Sequence, residues 1–121
     1  MPIKKVLIVD DSPTERYFLT ELLTKNGFAV SAAENAEEAV IKLKSATPDL
    51  ILMDVVMPGQ NGFQLTRTLS KDPATQSIPI IICTSKNQQT DRIWALRQGA
   101  RDYVSKPVKP DELLEKIAAL G

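Results

Sequence analysis

Short apolar runs alternate along this chain with longer stretches whose apolar residues recur every three or four positions. The runs are Val6–Val9, Phe28–Ala33, Leu50–Met53, Ile78–Cys83 and the weaker Tyr103-Val104. The first, third and fourth are nearly continuous in Val, Ile and Leu, as strands buried on both faces of a parallel sheet are. The stretches between them carry helix punctuation. Ser12-Pro13-Thr14-Glu15 reads as a capping box with proline at the first helical position. Phe18, Leu19, Leu22 and Leu23 then follow at helical spacing, and Gly27 closes the helix. Asn35, with Glu38 three residues on, caps a second helix carrying Ala39, Val40 and Leu43, and Thr47-Pro48 breaks the chain after it. A third helix follows Gly62, with Phe63, Leu65 and Leu69, and ends at Asp72-Pro73. A fourth runs from about Thr90 to Gln98, with Ile93 and Leu96 as its apolar positions and Gly99 closing it. A fifth follows Lys109-Pro110, with Leu113, Leu114, Ile117 and Leu120.

The order is strand then helix, five times over. Such alternation implies an α/β fold with a parallel sheet, right-handed crossovers and helices on both faces. With 121 residues the chain is one domain spanning 1–121, about half the length a TIM barrel needs. The expected architecture is a flavodoxin-like (βα)5 sandwich with sheet order 2-1-3-4-5.

Composition narrows the function. Lys and Arg number 15, as do Asp and Glu, so the net charge is zero and a general affinity for nucleic acid or anionic membrane is not expected. No histidine is present, which excludes a Ser-His-Asp triad and a His-ligated zinc. The single cysteine, Cys83, excludes an internal disulfide and a CxxC pair, and reads as a buried small hydrophobe. No apolar run approaches the roughly 20 residues of a membrane span. Asp10 and Asp11 cut the first run short of a signal peptide, so a cytoplasmic protein is expected.

In open α/β sheets, ligands bind beyond the carboxyl ends of the strands. Asp10 and Asp11 follow the first strand, Asp54 the third, Thr84 and Ser85 the fourth, and Lys106-Pro107 the fifth. Read singly, most of these are ordinary: acids favour helix starts, and Thr84, Ser85 and Lys106 suit a loop. Asp54 is less ordinary, because a carboxylate inside Leu-Ile-Leu-Met-Asp-Val-Val-Met rarely lacks a partner or a task. The expected strand order brings all of them to one edge. Two carboxylates about 5 Å apart repel by roughly 3 kcal/mol at an effective dielectric of about 20. Three would recruit a cation or raise a pKa. With no histidine and one cysteine, an all-oxygen site remains, which suits Mg²⁺. Carboxylate, cation, hydroxyl and ammonium together suit phosphoryl transfer onto an aspartate.

At these positions the chain resembles the receiver domains of two-component response regulators. The motifs are Val6-Leu7-Ile8-Val9-Asp10-Asp11, Leu52-Met53-Asp54, Met57-Pro58-Gly59-Gln60-Asn61-Gly62, Cys83-Thr84-Ser85 and Tyr103-Val104-Ser105-Lys106-Pro107, and they cover essentially the whole chain. The resemblance implies that Asp54 accepts a phosphoryl group from a CheA-like histidine kinase. It implies Mg²⁺ held by Asp11 and Asp54, by Asp10 largely through water, and by the backbone carbonyl of Val56. Lys106 would pair with the acyl phosphate, Thr84 would hydrogen-bond to it, and Tyr103 would move with Thr84. Lys106-Pro107 would be a cis peptide. The family's loop often has Asp where this chain has Asn61, and the residue two after the acceptor is apolar Val56, which bears on phosphate lifetime.

Asp11-Ser12-Pro13-Thr14-Glu15 and Thr90–Tyr103 further resemble PilH-like single-domain receivers of chemosensory systems controlling type IV pili, in twitching motility or phototaxis. That resemblance implies a chain with no output domain, acting through contacts with a downstream motility or regulatory protein. A monomer is expected, with weak dimerisation on phosphorylation, although the sequence does not reveal the oligomeric state. Trp94, Arg97, Arg101 and Tyr103 are expected on one side as the partner surface, although a lone exposed aromatic also occurs without a partner. Four other readings compete. A haloacid-dehalogenase-type phosphatase needs an acid two residues after its nucleophile, where Val56 stands. A flavodoxin-type carrier needs a phosphate loop after strand one, where Asp10 and Asp11 would repel the anion. A pseudo-receiver or a phosphate sink would keep the same residues and differ in what it does with phosphate.

Overall fold

In a computed structural model describing residues 2–57, 59, 61–85 and 89–120, the chain forms five strands and five helices in strict alternation. They are β1 (Lys5–Val9), α1 (Pro13–Lys25), β2 (Ala29–Ala33), α2 (Ala36–Ser45), β3 (Leu50–Met53), α3 (Gly62–Lys71), β4 (Ile80–Thr84), α4 (Gln89–Arg97), β5 (Asp102–Ser105) and α5 (Pro110–Leu120). The strands pair in parallel in the order β2-β1-β3-β4-β5, the expected flavodoxin-like arrangement.

Strand pleating divides the core in two, because successive side chains point to opposite faces. Leu7, Val9, Ile51, Met53, Ile80, Ile82 and Tyr103 pack with Ala36, Ala39, Leu65, Leu69 and Ala95, from α2, α3 and α4. Val6, Ile8, Leu50, Leu52, Ile81, Cys83 and Val104 pack on the other face with Leu19, Leu23, Leu113 and Ile117, from α1 and α5. Every residue of β3 and β4 is buried, which is why these strands read as unbroken apolar runs. Each fully buried Leu or Ile contributes about 2 kcal/mol of transfer free energy, so β1, β3 and β4, which bury Leu7, Ile8, Leu50, Ile51, Leu52, Ile80, Ile81 and Ile82, supply a large share of the hydrophobic drive. The edge strand β2 is mostly open to solvent.

Caps set the helix starts. Ser12 Oγ accepts from Glu15 N at 3.3 Å, and Asn35 Oδ1 accepts from Glu38 N at 2.8 Å. The N–H of Ser12 does not complete the expected capping box with Glu15. It donates instead to Asp10 Oδ1 at 2.9 Å, a nearer acceptor that the β1–α1 turn brings over it. A full capping box lies elsewhere, at the start of α3: Gln64 N donates to Asn61 Oδ1 and Asn61 N donates to Gln64 Oε1.

Three elements begin or face differently from expectation. Phe28 N donates to Leu23 O and so closes α1, and β2 starts at Ala29. Ile78 N donates to Thr75 O in a turn and Pro79 has no N–H, so β4 starts at Ile80 although Ile78 is buried. On α4 the buried residue is Ala95, while Ile93 and Leu96 are 44% and 47% exposed.

Candidate functional site

The sheet register brings the site together. Val9 pairs with both Ala33 and Met53, so the next residues, Asp10 and Asp54, leave neighbouring strands at the same level. The backbone holds that level: Asp54 N donates to Val9 O at 2.9 Å, and Asp10 N donates to Ala33 O at 3.0 Å. Thr84 ends β4 and pairs with Ser105, and Lys106 N donates to Thr84 O at 2.8 Å. The Lys106-Pro107 peptide is cis.

Asp10, Asp11 and Asp54 each offer a carboxylate oxygen, and these oxygens lie within 4.8 Å of one another. Asp10 and Asp54 are buried and Asp11 is exposed, so the cluster opens to solvent on one side. Lys106 reaches in over 96 residues of sequence. Its Nζ donates to Asp10 Oδ2 at 2.6 Å and to Asp54 Oδ2 at 3.3 Å. Burial works against its charge, but the hydrogen bond to Asp10 and the charges of Asp54, Asp10 and Glu15 outweigh it. The ammonium is therefore held above the ordinary lysine pKa. Thr84 is wholly buried at the end of β4. Val56 N lies 3.3 Å from Asp54 Oδ1, within hydrogen-bonding reach, while the Val56 side chain is exposed. The loop expected after Asp54 includes Pro58 and Gln60, which lie outside the described residues.

Other side chains around the cluster carried no separate signal in the sequence. Arg16 Nη1 donates to Asp10 O at 2.8 Å and so braces the β1–α1 turn. Glu15 has a buried Oε2 without a hydrogen-bond partner, and its charge is felt at Lys106. Both sit in the first turn of α1, where an acid three residues after Ser12 reads simply as a cap. Gly62 is required by close approach, since a Cβ there would lie 2.1 Å from Asp54 O. The cap of α3 is thereby pressed against the strand end that carries Asp54.

The expected partner surface is not one surface. Tyr103 is 2% exposed, with Arg92 Cζ 5.7 Å from its ring centroid and its hydroxyl buried without a partner. Its place in the α2–α3–α4 core removes it from any exposed face in this conformation. Arg101 lies at the opposite end of β5 from Lys106, beside Ser77, Ile78 and Pro79, and lines a different groove from Trp94 and Arg97. Trp94 and Arg97 do lie together, in a groove between α3 and α4. Cys83 is buried, and burial pushes its thiol up to about 12.

An all-oxygen cluster with an ammonium held against it fits a hard cation and a phosphoryl oxygen better than a soft metal or a redox group. Comparison with known proteins agrees. Residues 6–118 match the response regulator receiver domain family. The chain is 54% identical over 116 residues to Protein PilH of Pseudomonas aeruginosa, covering 96% of each. It is 36% identical over 117 residues to the phosphate regulon transcriptional regulatory protein PhoB of Escherichia coli, spanning 97% of this chain but 51% of that protein. Among solved structures it superposes on chemotaxis protein CheY4 of Vibrio cholerae with a TM-score of 0.91 at 28% identity, over 98% of this chain and 99% of that one. A putative response regulator from Chloroflexus aurantiacus matches with a TM-score of 0.90 at 33% identity, over 98% of this chain and 99% of that one. With its five parallel strands, its acidic cluster at their carboxyl ends and these matches along nearly its whole length, the chain belongs to the response regulator receiver domain family.

Proposed function

We propose that Asp54 is the phosphoacceptor of a phosphorelay, charged by a phosphohistidine on a CheA-like kinase. The observation that carries this reading is Lys106 Nζ standing 2.6 Å from Asp10 and 3.3 Å from Asp54, within a cluster of three carboxylates. An Asp54 oxygen attacks the phosphorus in line, the P–N bond to the kinase imidazole breaks, and the imidazole leaves with the bonding pair. Asp54 then carries a mixed anhydride. Lys106 is already hydrogen-bonded to Asp54, so it needs little movement to face the new phosphoryl oxygens. Thr84 supplies the hydroxyl on the β4 side, and Tyr103 moves with it.

Asp10, Asp11 and Asp54, with the carbonyl of Val56, are the residues that would hold Mg²⁺. Bound there, the ion would neutralise charge on the phosphoryl oxygens. Asp10 is the residue most affected, because the ammonium it now accepts from must share it. The output is a shift between two arrangements of the α4–β5–α5 surface, which changes protein–protein contacts. The similarity to PilH and the Thr90–Tyr103 segment support a place in pilus-dependent motility signalling, and a cytoplasmic location belongs to the same reading. Among the described residues no helix is long and apolar enough to cross a membrane.

Intact-mass measurement after incubation with acetyl phosphate tests the reading. One phosphoryl adduct is expected, dependent on Mg²⁺ and absent in Asp54→Asn. No adduct on a folded, Mg²⁺-binding protein would refute it and favour a module that binds partners without exchanging phosphate.

A further inference from the structure

The groove between α3 and α4 lies outside the acidic cluster and is used by nothing in the mechanism above. It has a volume of about 460 Å³ and is lined by Arg67, Ser70, Lys71, Trp94, Arg97, Gln98 and Gly99. Arg67 and Lys71 are four apart on α3 and Trp94 and Arg97 three apart on α4, so each pair shares one helix face. Arg67, Lys71 and Arg97 are exposed, and among the described residues none of them makes an ion pair. Trp94 is 49% exposed, and it is the one tryptophan of the chain. The floor is closely packed. Gly99 has φ +112°, and a Cβ there would lie 2.2 Å from Ser70 Oγ, so the end of α4 can approach α3 this closely only with glycine.

Three unpaired cations around a half-exposed indole, with no carboxylate in the lining, are not what a chain of zero net charge places by default. We infer that this groove docks a short acidic peptide segment of a partner protein, with a bulky apolar side chain of that segment against Trp94. The indole is the anchor, as tryptophans in interfaces commonly are. The cations set the sign of the partner and its rate of approach. A nucleic acid would need cations that continue along a backbone. Here Asp72 follows Lys71, and Asp91 lies one turn before Trp94, so the positive patch ends in both directions. The inference does not rest on phosphorylation: the groove is present in the unphosphorylated chain.

The test uses the full chain and three probes: a twelve-residue peptide of Asp, Glu, Leu and Phe, the same peptide with Asn and Gln for the acids, and a single-stranded oligonucleotide. Trp94 emission and backbone amide shifts report binding. The acidic peptide is expected to change the emission saturably and to shift the amides of Arg67, Ser70, Lys71, Arg97, Gln98 and Gly99. Its affinity should fall about tenfold in Arg97→Glu or Arg67→Glu. It should also fall between about 50 and about 500 mM salt, a readout that needs no variant. Equal binding of the neutral peptide, amide shifts confined to other faces, or displacement of the peptide by the oligonucleotide would each overturn the inference.

Discussion

Replacing Lys106 by methionine keeps the aliphatic stem and deletes the one ammonium that, among the described residues, touches the acidic cluster. At an effective dielectric of about 20, unit charges attract by roughly 6 kcal/mol at the 2.6 Å of the Asp10 contact and roughly 5 kcal/mol at the 3.3 Å of the Asp54 contact. Much of that is offset in the wild type by dehydration of an ammonium whose side chain is 14% exposed. Breaking a buried pair by removing one partner costs about 3–5 kcal/mol, because the remaining charge is stranded. Asp10 and Asp54 are both buried, while Asp11 leaves a path to water, so the lower end applies: about 3 kcal/mol, or a fall of about 10 °C in Tm.

The sign with pH follows from the raised pKa of Lys106. A group whose pKa is higher folded than unfolded gives its full stabilisation below the unfolded value and loses it as pH rises through the folded one. The gap between wild type and Lys106→Met should therefore stay flat from neutral pH up to the ordinary lysine value of 10.5, and close above it. Added Mg²⁺ meets three carboxylates without a competing ammonium in the variant, so it should raise the variant's midpoint more than the wild type's. Urea titrations with and without MgCl₂ measure both. A loss under about 1 kcal/mol, or a larger Mg²⁺ gain in the wild type, would refute the electrostatic reasoning.

Gly62→Ala should destabilise by about 2–3 kcal/mol in the same titrations, because its Cβ would have to displace the Asp54 carbonyl and the Val55 Cα, which are backbone and cannot swing away. Tyr103→Phe should be neutral or stabilise by up to about 1 kcal/mol, since it removes a buried hydroxyl that has no partner in this conformation; a loss above 1 kcal/mol would show the hydroxyl to be bonded. Cys83 should resist thiol reagents at pH 8 until the protein unfolds, given a buried thiol pushed up to about 12; labelling of the native protein at the rate of a free thiol would contradict its placement.

What the sequence made legible follows the physics of each element. β1, β3 and β4 announce themselves because both faces are covered, and an unbroken apolar run has few other meanings at that length. Apolarity marks burial rather than hydrogen bonding, however, so the apolar runs extend over Ile78 and Phe28 although each belongs to a turn. On α4 the pattern misled, because the helix packs through Ala95 and leaves Ile93, Trp94 and Leu96 outward. The convergence of Asp10, Asp11, Asp54 and Lys106 was readable from strand order alone, since each follows a strand at the same sheet edge. Which carboxylate the ammonium prefers was not, because a side-chain conformation decides that Asp10 is nearer than Asp54. The capping box at Asn61 and Gln64 was present in the letters but overshadowed by the glycine beside it. Tyr103 is the second residue of β5 and pleating turns it into the α2–α3–α4 core, which a two-residue apolar run does not announce.

The central claim is that one carboxylate of three, Asp54, takes the phosphoryl group. Reducing the phosphorylated protein with borohydride converts an acyl phosphate to an alcohol, leaving homoserine where the aspartyl phosphate stood. Peptide sequencing by mass spectrometry then finds which residue changed. The account predicts homoserine at position 54, with Asp10 and Asp11 intact. Homoserine at position 10 or 11 instead, or none in a protein that has gained a phosphoryl group, would contradict it.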